Sequence, residues 1–181
     1  MRLVLALPLA LGLSLAACGD SATQVVDPND PAAVADAMAS LPNPEPGQYR
    51  ITGELTEFTA PGVPTEEMDE ARGFMSALFA EPQLQCLTAE QAAEGYQNFV
   101  GGMGRDNDAC QMQSFSTTAS TFSAQMTCGG DSANSGTMSY EGEVTGTTMH
   151  MTMTVDGNDP GMGQMHMVVR MTSERVGDCP A

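Results

Sequence analysis

The chain has 181 residues, 23 acidic and six basic, and a formal net charge of −17. A surface this acidic repels nucleic acid and anionic lipid headgroups, which removes both from the list of electrostatic partners. There is no Trp and no Lys, but there are fifteen Met, so the core is expected to be filled by flexible, polarizable side chains.

At the N-terminus, Arg2 precedes an apolar run from Leu3 to Leu15, followed by small residues up to Cys18. One cation, a short apolar run and small residues make the layout of a secretory signal peptide, too short to span a bilayer as a mature helix. Leu15-Ala16-Ala17-Cys18 resembles the bacterial lipobox, in which the Cys becomes the first residue and carries lipid. The resemblance implies that residues 1–17 are removed and that Cys18 is acylated. Two or three acyl chains anchor far more firmly than one. Loss of Arg2 leaves five basic against 23 acidic residues, a charge of −18. Gly19 rather than Asp follows Cys18, which by resemblance to enteric sorting favours the outer membrane over the inner, with the domain facing the periplasm.

Residues 18–47 are rich in Asp, Ala, Ser and Pro and are expected to be a disordered tether behind the lipidated Cys. Within it, a short helix is expected from Pro31 to Leu41, with Asp30 as N-cap and Pro31 at the first helical position. The domain proper is expected over residues 48–181.

From Gln48 onward, period-two patterning dominates. Tyr49, Ile51 and Leu55 alternate with Arg50, Thr52 and Glu54 in a first strand. A helix follows over about Thr65 to Ala80, with Met68, Ala71, Met75, Leu78 and Phe79 on one stripe. A second helix starts after Gln85-Cys86-Leu87, where Thr88 and Gln91 make a capping box, and carries Tyr96, Phe99 and Val100 up to a stop at Gly101-Gly102.

The next hairpin is read with Cys110 opposite Cys128, Met112 opposite Met126, Ser114 opposite Ala124 and Ser116 opposite Phe122. That register puts Gln111, Gln113, Ser123 and Gln125 on a polar face, and only Phe115 breaks the pattern. A Thr145-Gly146 turn then places Met138 opposite Met153, Tyr140 opposite Met151 and Gly142 opposite Met149. In the last strand Met165, Met167, Val169 and Met171 point one way, and His166, Arg170 and Thr172 the other. The expected fold is mainly β: an antiparallel, curled meander of six or seven strands, open or barrel-like, with two short helices against a Met-lined face.

Setting Cys18 aside for lipid leaves four Cys in an oxidising compartment, and four allow three connectivities. The hairpin register selects Cys110–Cys128, which leaves Cys86–Cys179. A zinc site is disfavoured, since no close CxxC pair is present.

The opening Pro46-Gly47-Gln48-Tyr49-Arg50-Ile51, the Gln85-Cys86-Leu87-Thr88 knot, the Cys110 to Cys128 hairpin, the strand around Met149 to Val155 and the closing Val176-Gly177-Asp178-Cys179 together resemble one bacterial family. It is designated a domain of unknown function, number thirty-six seventeen. The resemblance spans about residues 45 to 180. It implies small exported envelope proteins with Met-rich strands, and no activity. This chain departs from the family in Tyr49, where Trp is common, and in an insertion around residues 64 to 80.

No enzyme is expected. There are two His, no Lys, no Gly-x-Ser-x-Gly elbow and no spare thiol once four Cys are bridged. Asp156, Asn158 and Asp159 hint at a calcium loop, but Pro160 stands where another oxygen ligand is needed. The expected role is a binding or interaction module. Its apolar face, formed by Met112, Met126, Met138, Tyr140, Met149, Met151, Met153, Met165, Met167 and Met171, would take an apolar ligand or an envelope protein. Two alternatives stand beside it. One is copper, a soft metal, held by the Met/His strands with His150 and His166 within reach of a shared ion. The other is a purely structural protein whose core is packed shut. No cofactor is expected beyond the lipid on Cys18 and, in the first alternative, copper.

Overall fold

The computed structural model describes residues 23–96, 110–129 and 135–180. Cys18, the signal peptide, Phe99, Val100 and the Gly101-Gly102 stop lie outside them. In chain order the elements are β1 (Gln24–Val26), α1 (Pro31–Ala39), β2 (Gly47–Thr59), α2 (Thr65–Ala80), β3 (Gln83–Leu87), α3 (Ala89–Ala93), β4 (Cys110–Thr117), β5 (Thr121–Cys128), β6 (Ser135–Val144), β7 (Thr148–Asp159) and β8 (Gly163–Gly177). The fold is mainly β, and its strands form one antiparallel sheet in the order β1-β4-β5-β6-β7-β8-β2-β3. Among the described residues the sheet has eight strands rather than six or seven and stays open, with β1 and β3 as its edges. Strands β4 to β8 are the expected meander. The first long strand, β2, pairs beside the last, β8.

Residues 24–41 are part of this fold, which corrects the expectation of a disordered tether up to residue 47. Asp30 caps α1 by accepting from Ala32 N at 3.0 Å and Ala33 N at 3.2 Å, and Pro31 starts the helix where its missing N–H does no harm. Val34, Ala37, Met38 and Leu41 recur at helical spacing and are buried together with Phe115, Phe122, Ala124, Met126, Tyr140, Val144 and Met151. Helix α1 thus covers the apolar face of β4 to β7. Over the other half of the sheet, Met68, Ala71, Met75 and Phe79 of α2 pack on Leu55, Phe58, Met167 and Val169. Leu78 is 56 % exposed and so leaves the expected stripe.

Two registers differ from expectation. In the β4–β5 hairpin, Cys110 and Met112 face Cys128 and Met126 as expected, but the register then shifts: Ser114 faces Gln125, Phe115 faces Ala124 and Thr117 faces Phe122. Gln113 is the extra residue of a β-bulge. The bulge turns Phe115 inward, where it is 1 % exposed, and so removes the one exception to the alternation. In the β6–β7 hairpin, Met138 faces Val155, Tyr140 faces Met153, Gly142 faces Met151 and Val144 faces Met149, a slip of two residues from the expected pairing. The turn is Gly146-Thr147, closed by Thr145 N donating to Thr148 O at 2.8 Å. Because side chains alternate with period two, a slip of two leaves every residue on its expected face.

Both expected disulfides are present, Cys86–Cys179 and Cys110–Cys128. Helix α3 begins with the expected Thr88/Gln91 capping box but ends at Glu94, because Gly95 takes φ +61°, a C-terminal stop that glycine adopts freely.

Candidate functional site

The two helices do not fill the apolar face completely. A cavity of about 360 Å³ remains to which neither α1 nor α2 contributes a lining residue. Its floor follows from strand register. Met151 lies opposite Met171, Met149 opposite Ser173 and Ser173 opposite Ile51, while Tyr49 stands between Arg175 and Gln85. Three adjacent cross-strand rows of β7, β8, β2 and β3 therefore face one space. Helix α2 stops short of it: Glu81, ahead of Pro82, is extended, and Phe79 in the last turn sits on Gly53, where a Cβ would come within 3.1 Å of Phe79 Cβ. Pro44, Gly95 and Tyr96 close the opposite wall.

One rim is pinned by hydrogen bonds. Glu45 N donates to Gly146 O at 2.6 Å. The Tyr49 hydroxyl lies 2.8 Å from Glu45 O and 3.2 Å from Gly146 O, so its single proton already has partners. Burial raises the Tyr49 pKa, with the Arg175 charge pulling it back and Glu45 opposing that. Tyr96 is pushed up to about 12, first by burial and then by the neighbouring Tyr49. Among the described residues, no Asp, Glu, Lys, Arg or His lines the cavity.

The apolar-face residues expected from the sequence separate into three groups. Met149, Met151 and Met171 line the cavity. Met126 and Tyr140 are buried in the cluster under α1, with Met112 and Met138 packed against it. Met167 is buried under α2 with Met165 against it, and Met153 touches both clusters. Tyr49, Ile51, Leu87 and Tyr96 were not anticipated as part of a site. The alternation of Tyr49 and Ile51 was readable, but their strand's place beside β8 was not.

The histidines do not come together, which corrects the expectation of a shared copper site. His150 pairs with Thr172 and His166 pairs with Asp156, six positions apart along β8, or about 20 Å of strand. His150 Nδ1 lies 3.3 Å from Thr172 Oγ1. His166 Nδ1 is 2.7 Å from Asp156 Oδ1 and its Nε2 3.5 Å from Glu57 Oε2. The Asp156 hydrogen bond raises the His166 pKa most. The charges of Asp156 and Glu57 add to the rise, and slight burial opposes it. Among the described residues, no group of three His, Cys, Asp or Glu is placed to hold a metal ion. The calcium hint also dissolves: Asp156 and Asn158 belong to the β7 ladder, and the Asp159 carboxylate accepts from Gly161 N at 2.8 Å and Met162 N at 3.0 Å within the turn.

A second, shallower groove of about 550 Å³ borders the polar face, with Ser123, Glu141, Glu143, His150, Thr152 and Arg170 among its lining. No helix of the described residues is long and apolar enough to cross a membrane.

A family model described as a protein of unknown function, DUF3617, matches residues 44–179. The chain is a DUF3617 protein. The match contains the cavity and both disulfides, whereas β1 and α1 lie before its first residue. Neither a curated protein nor a solved structure matches this DUF3617 chain.

Proposed function

We propose that this chain is an envelope lipoprotein whose DUF3617 domain is a non-enzymatic binding module for an apolar small molecule. The observation that carries the reading is the cavity of about 360 Å³ over Met149, Met151 and Met171. Its size falls in the range of small-molecule sites, which are concave and lined mostly by apolar and aromatic groups. Met supplies a surface that adapts its shape to an occupant. The lipid arm rests on Leu15-Ala16-Ala17-Cys18 and on cysteine parity, since the remaining four Cys are all bridged. Acyl chains on Cys18 would hold the protein at the periplasmic side of a membrane, the outer one favoured by Gly19.

Native mass spectrometry of the mature chain with Cys18→Ser, exported to an oxidising periplasm, tests the binding arm. An extra organic mass shed on activation, or uptake of an added apolar probe, is expected. A bare chain that takes up no such probe would return the domain to the purely structural reading. Labelling with a fatty-acid precursor tests the anchor: wild type should incorporate it and Cys18→Ser should not.

A further inference from the structure

We propose that this cavity selects uncharged, ring-containing molecules with a small hydrogen-bonding edge, and rejects anions and cations of the same size. The inference rests on the cavity being a binding site and adds the class of its ligand.

The floor is mostly thioether and alkyl groups around Ser173, and no described residue of the lining carries a formal charge. An ion entering would shed its water and find no counter-charge among the described lining residues, with Arg175 and Glu45 lying outside them beyond Tyr49, so its binding is penalised relative to a neutral molecule of equal shape. Tyr96 lines this cavity and already reports that penalty. Burial holds its phenol neutral up to about 12, because the phenolate is poorly solvated there. An anionic ligand meets the same desolvation, and on the way in it meets a chain of formal charge −17. A cation is attracted from a distance but meets no carboxylate among the described lining residues.

Two neutral polar side chains share the cavity face. Ser173 lies between Met149 and Ile51, and Gln85 lies beside Tyr49. They offer hydroxyl and amide groups to one edge of a ligand, whereas the Tyr49 hydroxyl is engaged by backbone carbonyls. The preference for rings comes from sulfur. Met149, Met151 and Met171 place three thioethers around one space, and thioether–aromatic contacts are favourable.

The test uses one ring system in three charge states: N-phenyl-1-naphthylamine, its sulfonate and a trimethylammonium derivative. Each is titrated by fluorescence into the mature chain carrying Cys18→Ser, with disulfides oxidised. The neutral probe is expected to bind with a blue-shifted emission, and both charged forms at least about tenfold more weakly. Ser173→Phe, which fills the floor, should abolish binding of the neutral probe. Gln85→Trp, at an exposed edge-strand position, should weaken it and serves as the second variant should Ser173→Phe disturb folding. Equal binding of a charged form overturns the charge selection while leaving the binding reading standing. No binding of any form removes the binding reading and this inference with it. Neutral binding that ignores both substitutions places the probe elsewhere and overturns the assignment to this cavity.

Discussion

Met38→Ala is the sharpest test of whether residues before the family match belong to the folded domain. Met38 is 1 % exposed on α1 and sits in one cluster with Phe115, Phe122 and Met126. Truncation removes Cγ, Sδ and Cε and leaves a void bounded by two rings held on β4 and β5, where collapse is limited. Losses for Met→Ala in such sites run from about 2 to 5 kcal/mol, and about 3 kcal/mol is expected here. For a domain of this size each kcal/mol shifts the melting temperature by about 2–4 °C, so Met38→Ala should melt about 6–12 °C lower. The control is Val25→Ala on β1, where the side chain is 78 % exposed and the change should stay within about 0.5 kcal/mol. Both are read by thermal and urea unfolding with disulfides oxidised, followed by near- and far-ultraviolet circular dichroism. If Met38→Ala melts with wild type, α1 is not part of the cooperative unit. The sequence-based picture of a tether up to residue 47 would then be right.

Three further outcomes follow from single contacts. Gly142 faces Phe122 across β5 and β6, and a Cβ there would overlap the ring, so Gly142→Ala should destabilise by about 1–3 kcal/mol. Combining it with Phe122→Leu should cost less than the sum of the two, and additivity in a double-mutant cycle would disprove the contact. Thr117 is 1 % exposed and its Oγ1 has no hydrogen-bond partner among the described residues, so Thr117→Val should raise stability by about 1 kcal/mol; a loss measured by urea unfolding would mean the hydroxyl is satisfied after all. His166 has its pKa raised by Asp156 and Glu57, so its contribution to stability is full below the unfolded value of about 6.5 and fades as pH rises through the higher folded value. A melting-temperature series for wild type and His166→Gln should diverge on the acid side and converge on the alkaline side. A proton-resonance titration that puts His166 at or below the ordinary histidine value of about 6.5 would reject the assignment.

Much of the fold was legible because its signals are local. Asp30-Pro31 announced the start of α1, and Thr88 with Gln91 announced α3, since caps depend on a few adjacent residues. The Cys110–Cys128 bridge followed from the alternation of β4 and β5 near their paired ends. Phe115 was the one residue at odds with a regular ladder, and it marked a real irregularity, the Gln113 bulge. That α1 packs on β4 to β7 rather than lying in a tether was not legible, for a different reason. Val34, Ala37, Met38 and Leu41 form an apolar stripe, but they are embedded among Asp and Pro residues whose average composition suggests disorder. The stripe outweighs the average because burial is counted residue by residue.

Outside the bulge at Gln113, the sequence by itself determined which face of the sheet the strand residues of the meander occupy, and hence that one face is lined by Met and the other polar. Neighbouring side chains point to opposite sides whatever the partner strand. Tertiary structure alone decided the rest. A slip of two residues keeps every face, so alternation could not separate the two registers of β6 and β7; the turn at Gly146-Thr147 did. Nor can period-two patterning say that β2 lies beside β8, because that pairing joins residues more than a hundred positions apart. The cavity depends on this placement. Tyr49 and Ile51 meet Met149, Met151 and Met171 only where β2 docks beside β8, in a space that neither α1 nor α2 lines.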